Sequence, residues 1–231
     1  MAKYKDIEYT LKRSLRKTAS IYIERDGGVS VLVPDSFTDI DLTKLLEGKR
    51  TWIYKQLAEW EDLNSTRIQR QFVNGEGFLY LGRTYRLEIV KDQPVPLSLK
   101  NGYFCLRAST LKSGDISPDE AFKEFYRQKG KVKISERVDL YKRKMGVKPQ
   151  SIHCLDLKNR WASCNSSGRL NFHWKCMMAP LKILDYIVVH ELAHLLHPSH
   201  TQAFWNEVDK MMPDFEERKA WLRRHGSSMD L

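Results

Sequence analysis

Between His190 and His200 the chain reads HELAHLLHPSH, which gathers four of its seven histidines into eleven residues. Residues four apart on a helix project from one face, a turn above each other, so His190 and His194 can grip a single metal ion. Glu191 sits beside the first of them, within reach of a water on that metal without being a ligand itself. His200 follows six residues after His194. Three neutral imidazoles, one carboxylate base and an open coordination position suit a catalytic zinc (Zn2+) site rather than a structural one.

The flanking sequence supports a helix. Pro180 suits the first turn, where its missing N–H costs nothing. Ile183, Leu184, Ile187 and Val188 recur at helical spacing, and Leu192 and Leu195 continue the apolar side. Pro198 disfavours helical geometry in the residue before it, so the helix should stop near His197. Ser199 then lets the chain turn back and bring His200 under the metal. His197 competes with His200 for the third position, but His200 lies beyond the helix end and can approach from another direction. A lone histidine on an apolar helix is usually a core residue; burying four imidazoles without a shared partner is costly.

The remaining composition narrows the class. At 231 residues and 42% hydrophobic the chain can bury a proper core, as one large domain or two small ones. No apolar run is long enough to span a membrane, and the charged N-terminus MAKYKDIEYTLKRSLRK lacks the apolar segment of a secretion signal. Cys105, Cys154, Cys164 and Cys176 are scattered, with no Cys-x-x-Cys pair. That argues against a disulfide framework or thiolate zinc cluster and for a cytoplasmic protein. The net charge of +10 is uneven: residues 117–150 carry ten Lys/Arg against five Asp/Glu, and residues 151–231 ten against nine. A basic stretch of this kind reads either as a nucleic-acid footprint or as a solvated helix face.

Patterning along the chain indicates an α+β fold. Ile7–Leu11, Ala19–Ile23 and Val29–Val33 alternate as strands, with a hairpin turn at Asp26-Gly27-Gly28. From Leu42 to about Phe72 the period is helical, with Leu45, Leu46, Trp52, Ile53, Leu57 and Trp60 on one face. Strands return at 78–81, 84–90 and 103–107, around a Pro-containing loop at 93–96. Ser113–Pro118 is the expected boundary between a strand-rich N-terminal region, 1–114, and a C-terminal catalytic domain, 115–231. Ser117-Pro118-Asp119-Glu120 opens a helix that should stop at Gly146. Strands at 151–157 and 168–174 flank the loop Lys158–Ser167, and the metal helix follows. An amphipathic stretch then carries Phe204, Trp205, Val208, Met211 and Met212, and a last helix carries Phe215, Trp221 and Leu222. There is no internal repeat or low-complexity tract.

Arg160-Trp161-Ala-Ser163-Cys164, Asn171-Phe-His-Trp174, Pro180, Tyr186, Val188-Val189, HELAHLLHPSH and Phe204-Trp205 closely resemble the YgjP-like metallopeptidase family, zincins related to the SprT-like proteases. Arg13-x-x-Arg16-Lys17 and Phe78-Leu-Tyr-Leu-Gly82 extend the resemblance towards the N-terminus. One departure is Pro198-Ser199, where family members often carry Asn. The resemblance implies a zincin-like C-terminal catalytic domain, with zinc on His190, His194 and His200 and Glu191 as general base. It also lets Trp161 and Ser163 line the cleft.

The expected reaction is peptide hydrolysis, with Glu191 taking the proton of a metal-activated water and delivering it to the departing amine. Zincins commonly bind peptide as an extra strand on a sheet edge, and Gly168–Trp174 is the candidate edge, its polar side carrying Arg169, Asn171 and His173. Tyr186 and His197 are the candidates for stabilising the oxyanion. A polypeptide is the expected substrate, and nucleic-acid-associated proteins would suit the basic surface. Two other readings stay open. A metal-dependent phosphohydrolase acting on nucleotides would also use positive charge, but there is no Gly-rich phosphate loop or carboxylate cluster. A non-catalytic, zinc-stabilised binding module would have no use for Glu191.

Overall fold

A computed structural model describes residues 1–24, 27–64, 69–112, 116–157 and 160–231. The chain packs as two compact units, Met1–Ile68 and Gln69–Leu231.

In the first unit, strands β1 (Ala2–Tyr4), β2 (Ile7–Ser14), β3 (Ser20–Ile23) and β4 (Val29–Pro34) form one sheet in the order β1-β2-β4-β3. The expected hairpin is β3 against β4, antiparallel with Ser20 opposite Leu32; Asp26 of its turn lies outside the described residues. β2 runs parallel to β4. Alternation puts Ile7, Tyr9, Val29, Val31 and Val33 on one face, where they bury with Leu42, Leu46 and Ile53 of helix α1 (Asp39–Asn64). α1 starts three residues earlier than the apolar period suggests because of a reciprocal cap. The Thr38 hydroxyl accepts from the Asp41 N–H, and the Asp41 carboxylate accepts from the Thr38 N–H. It also ends earlier than Phe72, and residues 69–73 are not helical.

Among the described residues, the second unit holds two sheets and four α-helices. Strands β5 (Gly77–Tyr80), β6 (Arg83–Val90), β7 (Leu97–Lys100) and β8 (Tyr103–Arg107) are ordered β5-β6-β8-β7. Helix α2 (Pro118–Met145) begins and ends where the sequence places it. Ser117 accepts from the Glu120 N–H, and Gly146 closes the helix in the left-handed region at φ 65°. Strands β9 (Ser151–Leu155), β10 (Ala162–Cys164) and β11 (Arg169–His173) form the second sheet, followed by helices α3 (Leu181–Ala193), α4 (Gln202–Met211) and α5 (Phe215–His225).

The packing does not divide at 114/115. Phe78, Leu87, Leu97, Phe104 and Leu106 from the first sheet share one core with Phe122 and Tyr126 of α2 and with α3. Alternation shows which strand face is apolar, not what covers it. Ser113, Gly114 and Asp115 of the expected boundary lie outside the described residues, as do Lys158 and Asn159 of the β9–β10 loop.

The order of the second sheet is β10-β11-β9, with β11 antiparallel to β10 and parallel to β9. β11 is therefore the central strand, which corrects the expectation of an edge at Gly168–Trp174. Both sides of its backbone are paired, and the edge that continues from it is β10. The polar side chains expected to greet a substrate face their own neighbours instead. Arg169 donates to Asn171, Asn171 donates to Ser163, and His173 lies against Asp156.

Much of the basic run is neutralised along α2. Lys123 pairs with Asp119, Arg127 with Glu120, Lys133 with Glu136 and Lys142 with Asp139. Arg137 reaches across to Asp185 of α3 with two bonds, Nε–Oδ1 at 2.5 Å and Nη2–Oδ2 at 2.8 Å.

Candidate metal centre

α3 is apolar nearly all round, with Ile183, Leu184, Ile187, Val188, Val189 and Leu192 all buried, so it runs enclosed by the second unit. Its entry is pinned by the turn between β5 and β6. The Leu81 and Gly82 N–H groups donate to the carbonyls of Met177 and Met178, at 2.8 and 3.0 Å, in the 3-10 turn that precedes α3. Gly82 has φ +78°, and a Cβ there would lie 2.8 Å from Pro180 Cα. This gives the Phe78-Leu-Tyr-Leu-Gly82 segment a physical reason: only glycine lets the turn approach the start of the metal helix so closely.

α3 carries His190 and Glu191 and ends at Ala193, with His194 still in helical geometry as its cap. One further loose turn follows, in which the His197 N–H donates to the Ala193 carbonyl at 2.9 Å. The chain then turns through Pro198-Ser199 and presents His200 just before α4.

The three imidazoles converge. One ring nitrogen from each of His190, His194 and His200 lies within 4.8 Å of the others. The Nε2 atoms of His190 and His200 are 3.0 Å apart, within hydrogen-bond distance of each other. Ring planes are inclined at 83°, 40° and 71°, so the rings surround a point rather than stack. Burial, reinforced by the neighbouring His194, His200 and Lys219, pushes His190 down to about 3. Burial likewise lowers His194 and His200. All three are thus neutral near pH 7, the form in which imidazole binds a metal. The His194 Nδ1 faces the His197 carbonyl at 3.3 Å, which leaves Nε2 for the centre. His197 therefore supplies a backbone carbonyl, and the ring that converges with His190 and His194 is that of His200.

Glu191 is 5% exposed, and its Oε2 is buried without a hydrogen-bond partner among the described residues. Burial drives its carboxyl up to about 8, against an opposing pull from Arg160. A buried carboxyl next in sequence to the first of three converging nitrogen donors fits a divalent cation, whose charge would offset what burial costs the carboxylate. Tyr186, one turn before His190 and with its ring 5.9 Å from that imidazole, is raised by burial to about 12 and stays a phenol at neutral pH. Trp161 packs against Gly226 after α5, and its carbonyl accepts from the His173 N–H.

Sequence reasoning missed β10, which is three residues long inside a polar loop, and the effect of Arg160 just before it, whose charge acts on Glu191. The proximity of these two to α3 has no signal in local pattern.

An α+β core that carries this donor set on one buried helix and the loop after it belongs to the class of metal-dependent hydrolases. The family is specific: the YgjP-like metallopeptidase domain matches residues 17–225, and the chain belongs to that family. It is accordingly a metal-dependent peptidase, and membership implies a divalent metal and a polypeptide substrate. Among solved structures the chain is similar to the metallopeptidase zymogen abylysin of Pyrococcus abyssi, at 23% identity over 38% of this chain and 90% of that one, with a TM-score of 0.37. Comparison with curated proteins gives no match. Among the described residues no helix is long and apolar enough to cross a membrane.

Proposed function

We propose that His190, His194 and His200 hold a zinc ion and that Glu191 is the general base of peptide-bond hydrolysis. The observation that carries this reading is the convergence of three neutral imidazole nitrogens, the first of them next in sequence to Glu191, whose buried Oε2 has no partner among the described residues. Nitrogen-only donors favour zinc over magnesium or calcium, which prefer oxygen. When bound, zinc supplies a Lewis acid that polarises a carbonyl and acidifies a water.

The chain's own residues do the rest. Glu191 takes the proton of the attacking water on a carboxylate oxygen and returns it to the departing amine nitrogen. Burial raises its carboxyl to about 8 without metal, and the positive charge of a bound dication would favour the carboxylate form that accepts the proton. The Tyr186 phenol, protonated at working pH, is the candidate donor to the oxyanion. Among the described residues β10 lies against α3 and pairs with β11 on one side only, so Ala162–Cys164 offers backbone groups to a substrate strand. Burial and the charge of Glu191 both raise the Cys164 thiol, consistent with that edge running past the base. The four cysteines form no disulfide, which suits a reducing compartment such as the cytoplasm.

The test is metal stoichiometry and hydrolysis of an unfolded polypeptide by the full chain and its histidine variants. His190→Ala, His194→Ala and His200→Ala should each lose zinc and activity, whereas His197→Ala should keep zinc. Zinc retained by His200→Ala and lost by His197→Ala would overturn the ligand set.

A further inference from the structure

Metal-binding histidines are usually oriented by an acceptor behind the ring, a carboxylate or carbonyl that takes the other N–H. His190 has none: its Nδ1 is buried without a partner among the described residues. His194 has the His197 carbonyl behind its Nδ1, but the surface common to all three rings is aromatic. Phe204, fully buried at the start of α4, has its ring centroid 4.9 Å from His190, 4.6 Å from His194 and 4.7 Å from His200. Trp205 stacks on His200 at 5.6 Å with the planes only 22° apart, and meets the His190 ring edge-to-face at 5.9 Å. Trp205 is held in turn, stacked on Phe215 at 5.4 Å and 17°, with the Lys219 ammonium 4.7 Å from its ring centroid.

We infer that Phe204 and Trp205 are positioning residues that orient the three imidazoles by ring packing, where the His190 Nδ1 has no hydrogen-bonding partner among the described residues. The inference rests on the reading of His190, His194 and His200 as the metal ligands. His200 needs such support most, because it is exposed and stands on a loop, where its rotamers would otherwise be free. Phe204 supplies one surface shared by all three rings. Trp205 supplies a flat face against the third, and aromatic pairs in these geometries contribute beyond the area they bury. Because α4 begins immediately after His200, two consecutive residues of its first turn suffice to fix the ligand that the preceding loop leaves loose.

The test uses the full-length protein carrying Trp205→Phe, which keeps a flat ring, or Trp205→Leu, which keeps apolar bulk without one. Zinc(II) affinity is measured by competition with a chromophoric chelator, cobalt(II) is read by its visible absorption, and circular dichroism checks folding. Trp205→Leu should bind zinc about 10–100-fold more weakly, the range for lost support of a metal ligand, and should shift the cobalt(II) band. Trp205→Phe should stay close to the parent in both. If Trp205→Leu does not fold, Trp205→Met, unbranched and ringless, takes its place in the same comparison. His200→Ala separates the two ideas. Zinc kept at parental affinity in His200→Ala would remove the ligand assignment itself. Zinc lost in His200→Ala but held at parental affinity, with an unchanged cobalt(II) band, in Trp205→Leu would overturn the positioning role and leave the site standing.

Discussion

Gly82 meets Pro180 so closely that a methyl group on Gly82 would fall 2.8 Å from the Pro180 Cα, at the first residue before the helix that carries His190. The turn between two strands of one sheet thereby sets where α3 of the same unit begins. Gly82→Ala should destabilise the protein through both its φ of +78° and this contact, by about 1–3 kcal/mol. Denaturant unfolding with chelator present checks it; a variant as stable as the parent would mean the turn yields freely.

The Arg137–Asp185 pair links α2 to α3 five residues before His190, and Asp185 is 7% exposed. Asp185→Ala leaves the guanidinium without its partner and should cost about 1.5–3 kcal/mol, the range for hydrogen bonds to charged groups. The Arg137 side chain keeps some water contact, which holds the loss below that of a fully buried charge. In a double-mutant cycle, Arg137→Ala with Asp185→Ala should cost clearly less than the sum of the two singles; strict additivity would show the pair to be uncoupled.

Metal-free protein should show a stability optimum set by opposing groups. His190 falls from its ordinary 6.5 to about 3 on folding, so the unfolded chain binds the extra proton between those values and stability drops as pH falls below 6.5. His194 and His200 act in the same direction. Glu191 rises from 4.5 to about 8, so the folded chain holds the extra proton and stability drops as pH rises across that window. Between about 4.5 and 6.5 the His190 and Glu191 contributions offset each other, and His194 and His200 leave a net rise in stability with pH there. Glu191→Gln removes only the alkaline loss, so its advantage over the parent in chelator should grow from pH 4.5 to pH 8. A constant difference across that range would contradict a carboxyl raised by burial.

Zinc should stabilise the folded chain by mass action, about 2.7 kcal/mol when free zinc is a hundredfold above its dissociation constant. The increment should vanish in His194→Ala and return to the parent only with the imidazole restored. A thermal shift with zinc that survives His194→Ala would point to binding elsewhere.

The parts of the fold that follow from local chemistry were legible in the sequence. Ser117-Pro118 and Gly146 bracket α2 because capping is decided within a few residues. The helical period through Ile183, Leu184, Ile187 and Val188 puts His190 and His194 on one face. β7 escaped that reading, although Asn101-Gly102, with φ of 51° and 82°, is the two-residue turn that announces a hairpin between Leu97–Lys100 and Tyr103–Arg107. The centrality of β11 had no such signal. Alternation in Arg169–His173 reports which side chains are buried, while strand order is settled by Ala162–Cys164 folding back on it. For the same reason the amphipathic pattern of α4 included Phe204 and Trp205, and only three dimensions put them against His190, His194 and His200.

Glu191→Gln gives the sharpest test of Glu191 as the base beside a three-histidine metal. Zinc content and kcat on an unfolded polypeptide are measured on the same preparation at neutral pH. Bound zinc should remain at one per chain while kcat falls by about 10²–10⁴-fold, the usual contribution of a positioned base. Full turnover with zinc still bound would contradict the role given to Glu191.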